Sequence, residues 1–198
     1  PKSVLVIEFF SPSLKDLNSR IAKCQAMLLS NGAYSAKLIN KKDANKVWEV
    51  RKAGLGLLMG RVGPKKAVAV IEDAAVPVDK LYLYYQEVKS LMQSYGVSAV
   101  YYGHASVGLI HIRPMLDLSK EKDQKIMKSI AKEVSRIVKK HHGSLSGEHG
   151  DGRVRAPFLK EQFGKSVYQH FVDLKHTFDP NNLFNPGVIL SDKSILEN

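Results

Sequence analysis

Two histidines seven residues apart on what reads as a hairpin, followed downstream by a carboxylate and a third imidazole between glycines, constrain this chain more than anything else in it. The segments are Gly103-His104, His111-Ile112-Arg113-Pro114 and Gly147-Glu148-His149-Gly150-Asp151-Gly152. With Val107 and Gly108 as the central residues of a two-residue turn, Ser106 faces Leu109, Ala105 faces Ile110 and His104 faces His111 across the strands. Directly opposed residues carry Cβ atoms ~5 Å apart on one face of a sheet, close enough for two imidazoles to hold one cation. Glu148 then completes a His2Glu set, the donor set of catalytic zinc sites that keep a position open for water or substrate. Successive residues of an extended segment point to opposite sides, so Glu148 is expected on the metal and His149 toward a substrate. A lone histidine on a strand is more often structural than ligating; the reading rests on the facing pair together with Glu-His. Arg113 follows His111 by two and shares its face. Its guanidinium there either holds an acidic group of a substrate or pairs with a carboxylate of the sheet.

Around these segments the pattern alternates strands and helices. Residues 3–10 (SVLVIEFF) and 34–39 read as strands flanking a helix on which Leu14, Leu17, Ile21, Cys24 and Leu28 recur at helical spacing. Residues 41–58 read as a second helix and 67–76 as a strand that ends in Glu72-Asp73. Amphipathic helices at 78–95 and 119–142 flank the hairpin, and a single helix over 159–177 follows the Glu-His loop. The expected fold is α+β and ferredoxin-like: two β-α-β subdomains, 1–64 and 65–198, sharing a broad antiparallel sheet with helices on one face. Taken by themselves, Glu72 and Asp73 are acids of the kind that face solvent or cap the next helix.

Composition excludes several classes. No apolar run approaches the ~20 residues of a membrane span, no signal peptide is visible, and no G-x-G-x-x-G or P-loop offers a seat for a nucleotide pyrophosphate. Cys24 is the one cysteine, so the chain can build neither an internal disulfide nor an iron-sulfur cluster, and a reducing, cytoplasmic setting is expected. The net charge of +11 is dispersed in short lysine doublets, the pattern of solvated helix faces, and no nucleic acid is expected. Two rival readings are an RRM-like single-stranded RNA-binding module using Tyr101 and Tyr102, and a structural zinc domain. The first lacks the basic, glycine-led aromatic run such a strand needs, and the second requires a closed coordination shell.

Three stretches carry a family resemblance: YGHASVGLIHIRP (102–114), SLSGEHGDGRVR (144–155) and FDPNNLFNPG (178–187). Together they resemble the C-terminal domain of FAD-linked oxidases, the group of D-lactate, glycolate and D-2-hydroxyglutarate dehydrogenases. The nearest likeness is to the subgroup fused to an iron-sulfur module, since many relatives carry Gly-Asp-Gly-Asn where this chain has Ser106 to Leu109. The resemblance implies a substrate-binding cap belonging to a longer flavoprotein, inactive when isolated, whose N-terminal domain holds most of the FAD. It implies hydride transfer from a D-2-hydroxy acid to the flavin; on the residues themselves, His149 is then expected as general base beside a divalent metal, zinc first and manganese or iron as alternatives. Arg51, three residues after Trp48, matches the position that binds the substrate carboxylate, and Glu72, Asp73 and Asn185 match segments that approach the flavin. A downstream electron acceptor is implied, an iron-sulfur cluster is expected elsewhere in the full-length protein if at all, and the setting is cytoplasmic or peripheral at the inner membrane face. Oligomer formation is left open.

Overall fold

Helices dominate the first part of the chain and a small sheet organises the second in a computed structural model that describes residues 3–197. Two units are distinguished, Pro1–Leu55 and Gly56–Asn198. In the first, α1 (Leu14–Ser30) starts at Ser13, whose hydroxyl accepts the Asp16 N–H at 3.3 Å. Asp16 in turn takes the Ser11 hydroxyl at 2.8 Å and the Arg20 guanidinium at 2.9 Å. α2 (Lys41–Met59) begins after Asn40, whose side-chain oxygen accepts from the Asp43 N–H at 3.0 Å.

Residues 3–10 and 34–39, expected as strands, carry no ladder. Their apolar side chains are exposed, Phe10 to 78% and Tyr34 to 78%, and no residue of α1 is buried. Alternation specifies a face for burial, but a strand also needs a partner edge and a covering layer, and neither forms there. The α+β class therefore stands, while the broad sheet shared by two β-α-β halves is replaced by one antiparallel sheet within Gly56–Asn198.

That sheet is built on β4 (Leu109–Leu116), buried along nearly its whole length. β3 (Ala99–His104) pairs with one edge of it. Along it also run β1 (Lys66–Ala67), opposite Leu116 and Met115, and β2 (Ala74–Ala75), opposite Ile110 and Leu109. The expected continuous strand over 67–76 is thus interrupted: its ends pair with β4, while 69–73 turn out of the ladder and return. The helical layer consists of α3 (Leu81–Ser94) and α4 (Glu121–Lys140), which bring Tyr84, Val88 and Met92, and Ile130, Val134 and Val138, against Ile112. Period-two alternation then sends Ile112 and Tyr101 to the helices and His111, Arg113 and Tyr102 to the other face. The last expected helix is two, α5 (Ala156–Phe163) and α6 (Lys165–Phe178), because Gly164 at φ +82° leaves the helical region.

Asp179 closes α6. Its carboxylate accepts the N–H groups of Leu183 at 2.8 Å and Phe184 at 2.9 Å and pairs with Lys175, and the Lys175 ammonium with these amides holds the carboxyl below its ordinary value near 3.8. A carboxyl depressed on folding lends stability above its unfolded pKa and loses it as pH falls through the folded one. The amide resonances of Leu183 and Phe184 are accordingly expected to titrate with a midpoint below the ordinary carboxyl value of about 3.9. A midpoint at or above that value contradicts the assignment.

Candidate metal and acid-base site

The hairpin does not close by a two-residue turn. Ala105–Val107 form a single 3-10 turn and Gly108 alone takes the left-handed conformation, φ +72°, its N–H donating to the Ala105 carbonyl at 3.2 Å. A two-residue primed turn puts its first central residue at positive φ in either form, and β-branched Val107 is among the residues least able to follow. The register is therefore His104 opposite Leu109, Gly103 opposite Ile110 and Tyr102 opposite His111, two positions from the expected one. A shift of two conserves the face, so the histidines meet diagonally instead of directly, with ring centroids 5.6 Å apart and planes at 85°.

Glu148 reaches both rings: Oε1 lies 3.6 Å from His104 Nε2 and Oε2 3.8 Å from His111 Nε2. Donors around a tetrahedral ion at ~2.0–2.1 Å stand roughly 3.4 Å apart, and one ligand atom from each of the three groups lies within 4.8 Å of the others, so the cluster draws in by up to about an ångström to share one ion. Buried His111 donates from Nδ1 to the Glu72 main-chain carbonyl at 2.5 Å; a carbonyl only accepts, so the proton sits on Nδ1 and Nε2 carries the lone pair. Burial pushes its pKa down, which favours the neutral, ligating form. Asp73, Glu148 and His149 make a second convergent group, but the Asp73 carboxylate is already taken. It accepts the Ser146 hydroxyl at 2.5 Å, the His149 N–H at 2.8 Å and the Glu148 N–H at 3.2 Å. Among the described residues, His104, His111 and Glu148 are the group that could hold a divalent cation with its donor atoms least committed elsewhere.

His149 does not point away from Glu148. Its ring stacks on His111, centroids 5.5 Å apart and 12° between planes, with Nε2 3.9 Å from Glu148 Oε2 and Nδ1 2.7 Å from Glu72 Oε1. The expected alternation fails because the segment is pinned and curled: Asp73 holds the amides of 148 and 149, and Gly150 at φ +79° bends the chain away. The hydrogen bond to Glu72 raises the His149 pKa against a smaller opposing effect of desolvation.

Glu72 and Asp73 are neither exposed nor helix caps. Both are buried, and burial working against the Asp73 charge is overcome by the Ser146 hydroxyl and the amides of His149 and Glu148, which hold its pKa low. Arg113 forms the pairing that the sequence left as one alternative: Nη2 donates to Glu72 Oε2 at 3.0 Å and Nε to the Tyr102 hydroxyl at 2.9 Å. Arg155, Tyr102 and Ser146 escaped sequence reasoning. Arg155 puts Nη1 on the Gly150 carbonyl at 2.9 Å and Nη2 3.7 Å from Glu72 Oε1; its signals in the sequence were its place just after the glycine-rich loop and at the end of the 144–155 stretch. Asn185 lies in an exposed turn at φ +46°, tied to the Glu-His segment by Arg153 Nη1 on the Pro186 carbonyl and by the Ile189 N–H on the Gly152 carbonyl. Arg51 is exposed on α2 within Pro1–Leu55. Tyr101 packs edge-on to Tyr85 and Tyr102 lies over His111, so the aromatics invoked for RNA stacking serve the core and the site.

Residues 2–189 match the family described as FAD linked oxidases, C-terminal domain. The chain is 31% identical over 191 residues to a D-2-hydroxyglutarate dehydrogenase of Pantoea ananatis, covering 93% of this chain and 19% of that protein. It is 32% identical over 173 residues to a D-lactate dehydrogenase of Archaeoglobus fulgidus, covering 85% and 35%. With the glycolate oxidase subunit GlcD of Bacillus subtilis the identity is 27% over 187 residues, covering 94% and 39%. The chain thus spans well under half the length of each of these relatives.

A Cβ at Gly108 would lie 1.8 Å from the Val76 carbonyl oxygen, whereas one at Gly150 meets nothing within 4 Å. Gly150→Ala is expected to show only the left-handed backbone penalty, about 1–2 kcal/mol. Gly108→Ala adds displacement of the β2 edge and should lower the thermal midpoint clearly further; equal midpoints for the two variants would contradict the turn geometry.

Proposed function

The chain belongs to the family of FAD linked oxidases, C-terminal domain, and we propose on that footing that it is the substrate- and metal-binding part of an FAD-dependent D-2-hydroxy-acid dehydrogenase. The substrate class is a small D-2-hydroxy acid such as D-2-hydroxyglutarate, D-lactate or glycolate, converted to the 2-oxo acid. The observation that carries this reading is the convergence of His104, His111 and Glu148 on one point with the His149 imidazole beside it. The cation these three would hold, zinc by donor set and manganese or iron as alternatives, supplies Lewis acidity toward the hydroxyl and carboxylate oxygens of the substrate. FAD, which other parts of a longer protein would mostly bind, would supply the hydride acceptor.

The chain's own residues handle the proton and the orientation. His149 takes the substrate hydroxyl proton at Nε2, the nitrogen that Glu72 leaves unengaged. Glu148, anchored through its N–H on Asp73, and His111, anchored on the Glu72 carbonyl, keep the donor atoms in place as the substrate enters. Arg51, in the unit Pro1–Leu55, is proposed for the substrate carboxylate on the sequence resemblance alone, its planar guanidinium suiting bidentate pairing. Arg113, engaged with Glu72 and Tyr102, contributes positive charge from below in place of a direct contact. A structural zinc site is the weaker reading, because the cluster brings three donor groups, and two of them, His104 and Glu148, are 41% exposed.

Metal analysis tests the ligand assignment. About one equivalent of divalent metal per chain is expected in the wild type and a clear loss in His104→Ala. In the full-length flavoprotein, His149→Gln should retain the metal and lower kcat by roughly 10²–10⁴-fold with D-2-hydroxy acids. Loss of metal in His149→Gln with retention in Glu148→Gln means that those two roles are exchanged.

A further inference from the structure

Glu72 reaches two imidazoles of the site by two separate routes. Its main-chain carbonyl accepts from His111 Nδ1 at 2.5 Å, and its side-chain Oε1 lies 2.7 Å from His149 Nδ1. The carboxylate is buried and is itself gripped: Oε2 takes Arg113 Nη2 at 3.0 Å, and Arg155 Nη2 stands 3.7 Å from Oε1. Arg113 is fixed in turn by the Tyr102 hydroxyl on Nε. With Oε2 occupied by a guanidinium that cannot turn away, Oε1 is left directed at the imidazole.

We propose that Glu72 is a positioning residue whose carboxylate fixes the Nδ1–H tautomer of His149 and turns the ring so that Nε2 faces the substrate hydroxyl. The inference rests on the assignment of His149 as the base and extends it to the group that makes the base usable. An ionised carboxylate only accepts hydrogen bonds, so the shared proton belongs to His149 Nδ1. A neutral imidazole protonated at Nδ1 has its lone pair at Nε2, which lies on the Glu148 side, 3.9 Å from Oε2. Stacking on His111 fixes the ring plane, and the carboxylate fixes the rotation within it. Without Glu72 the ring would be free to carry its proton on Nε2, where it blocks proton abstraction; an imidazole in the wrong tautomer loses most of its value as a base.

The two routes make the role separable from general support of the site. Substitution at position 72 removes the side-chain hold on His149 but leaves the main-chain carbonyl that holds His111. Metal binding and base orientation should therefore come apart.

The test compares wild type, Glu72→Gln, Glu72→Asp and His149→Gln in the full-length holoprotein. The readouts are metal content, kcat and KM, and the ring ¹⁵N signals of histidine-labelled, sedimented protein under magic-angle spinning, with His149→Gln identifying the His149 resonances. Glu72→Gln, which keeps the volume and can still meet Arg113, is expected to retain wild-type metal and KM. Its kcat should fall on the order of 10²-fold, and its His149 signals should pass from one Nδ1–H tautomer to a mixture. Glu72→Asp should recover part of both. Glu72→Gln with wild-type kcat and an unchanged tautomer overturns the proposal and leaves Glu72 as a partner of Arg113 alone. Loss of metal together with activity overturns it in the other direction, since Glu72 would then act on the cation site. Wild-type turnover in His149→Gln defeats the base assignment itself, whereas the tautomer signals of Glu72→Gln decide the positioning independently of turnover.

Discussion

The buried carboxylate of Asp73 holds the Glu-His segment to the sheet, and the geometry of the site depends on it. Three donors converge on it, the Ser146 hydroxyl and the N–H groups of Glu148 and His149, while the Asp73 carbonyl takes the Gly147 N–H at 2.8 Å. A segment of four residues with no secondary structure of its own is thereby given the backbone satisfaction that a ladder would otherwise provide. Hydrogen bonds to an ionised acceptor are stronger than neutral ones, and a buried partner left unpaired is costly, so the arrangement is all-or-none in character. Glu148 and His149 inherit their positions from it. Glu148 and His149 are held by one anchor, which is why their side chains share a centre despite belonging to adjacent residues.

The hairpin shows how far a sequence carries and where it stops. The pattern in 97–114 identified the two strands, their faces and the convergence of His104 with His111, because all three follow from parity along a strand. It did not yield the register, since that is set by which turn residue can take positive φ, and Val107 excluded the shorter turn. Helix positions were legible from apolar spacing, yet the break between α5 and α6 rests on one glycine that the periodicity passes over smoothly. The segments at 3–10 and 34–39 have strand-like composition without a partner edge, and composition says nothing of partners.

The local reading of Glu72 and Asp73 as solvent-facing or capping acids failed. Locally they look like two acids at the end of a strand, where water or a helix terminus is the ordinary destination. What decides their fate is distant in sequence: Arg113, His111, Ser146 and His149 lie between 39 and 77 residues away, and each contact needs the sheet to exist first. Arg113 illustrates the converse. Its face was predictable, but which of its two candidate partners it would choose depended on a carboxylate whose burial no local rule foretold.

The interruption between β1 and β2 bears on how many functional groups a short edge can offer. Within a continuous ladder neighbouring side chains alternate, so one of two successive carboxylates would serve the site face and the other would be driven into the helical core, where an acid has no partner. By leaving the ladder at 69–73 and rejoining it at Ala74, the chain escapes that alternation for a few residues while both ends stay registered against β4. Two consecutive positions, and the carbonyl between them, then work on the same few ångströms of space. The broken strand is what lets a small sheet bring both Glu72 and Asp73 to one polar constellation without driving either carboxylate into the helical core.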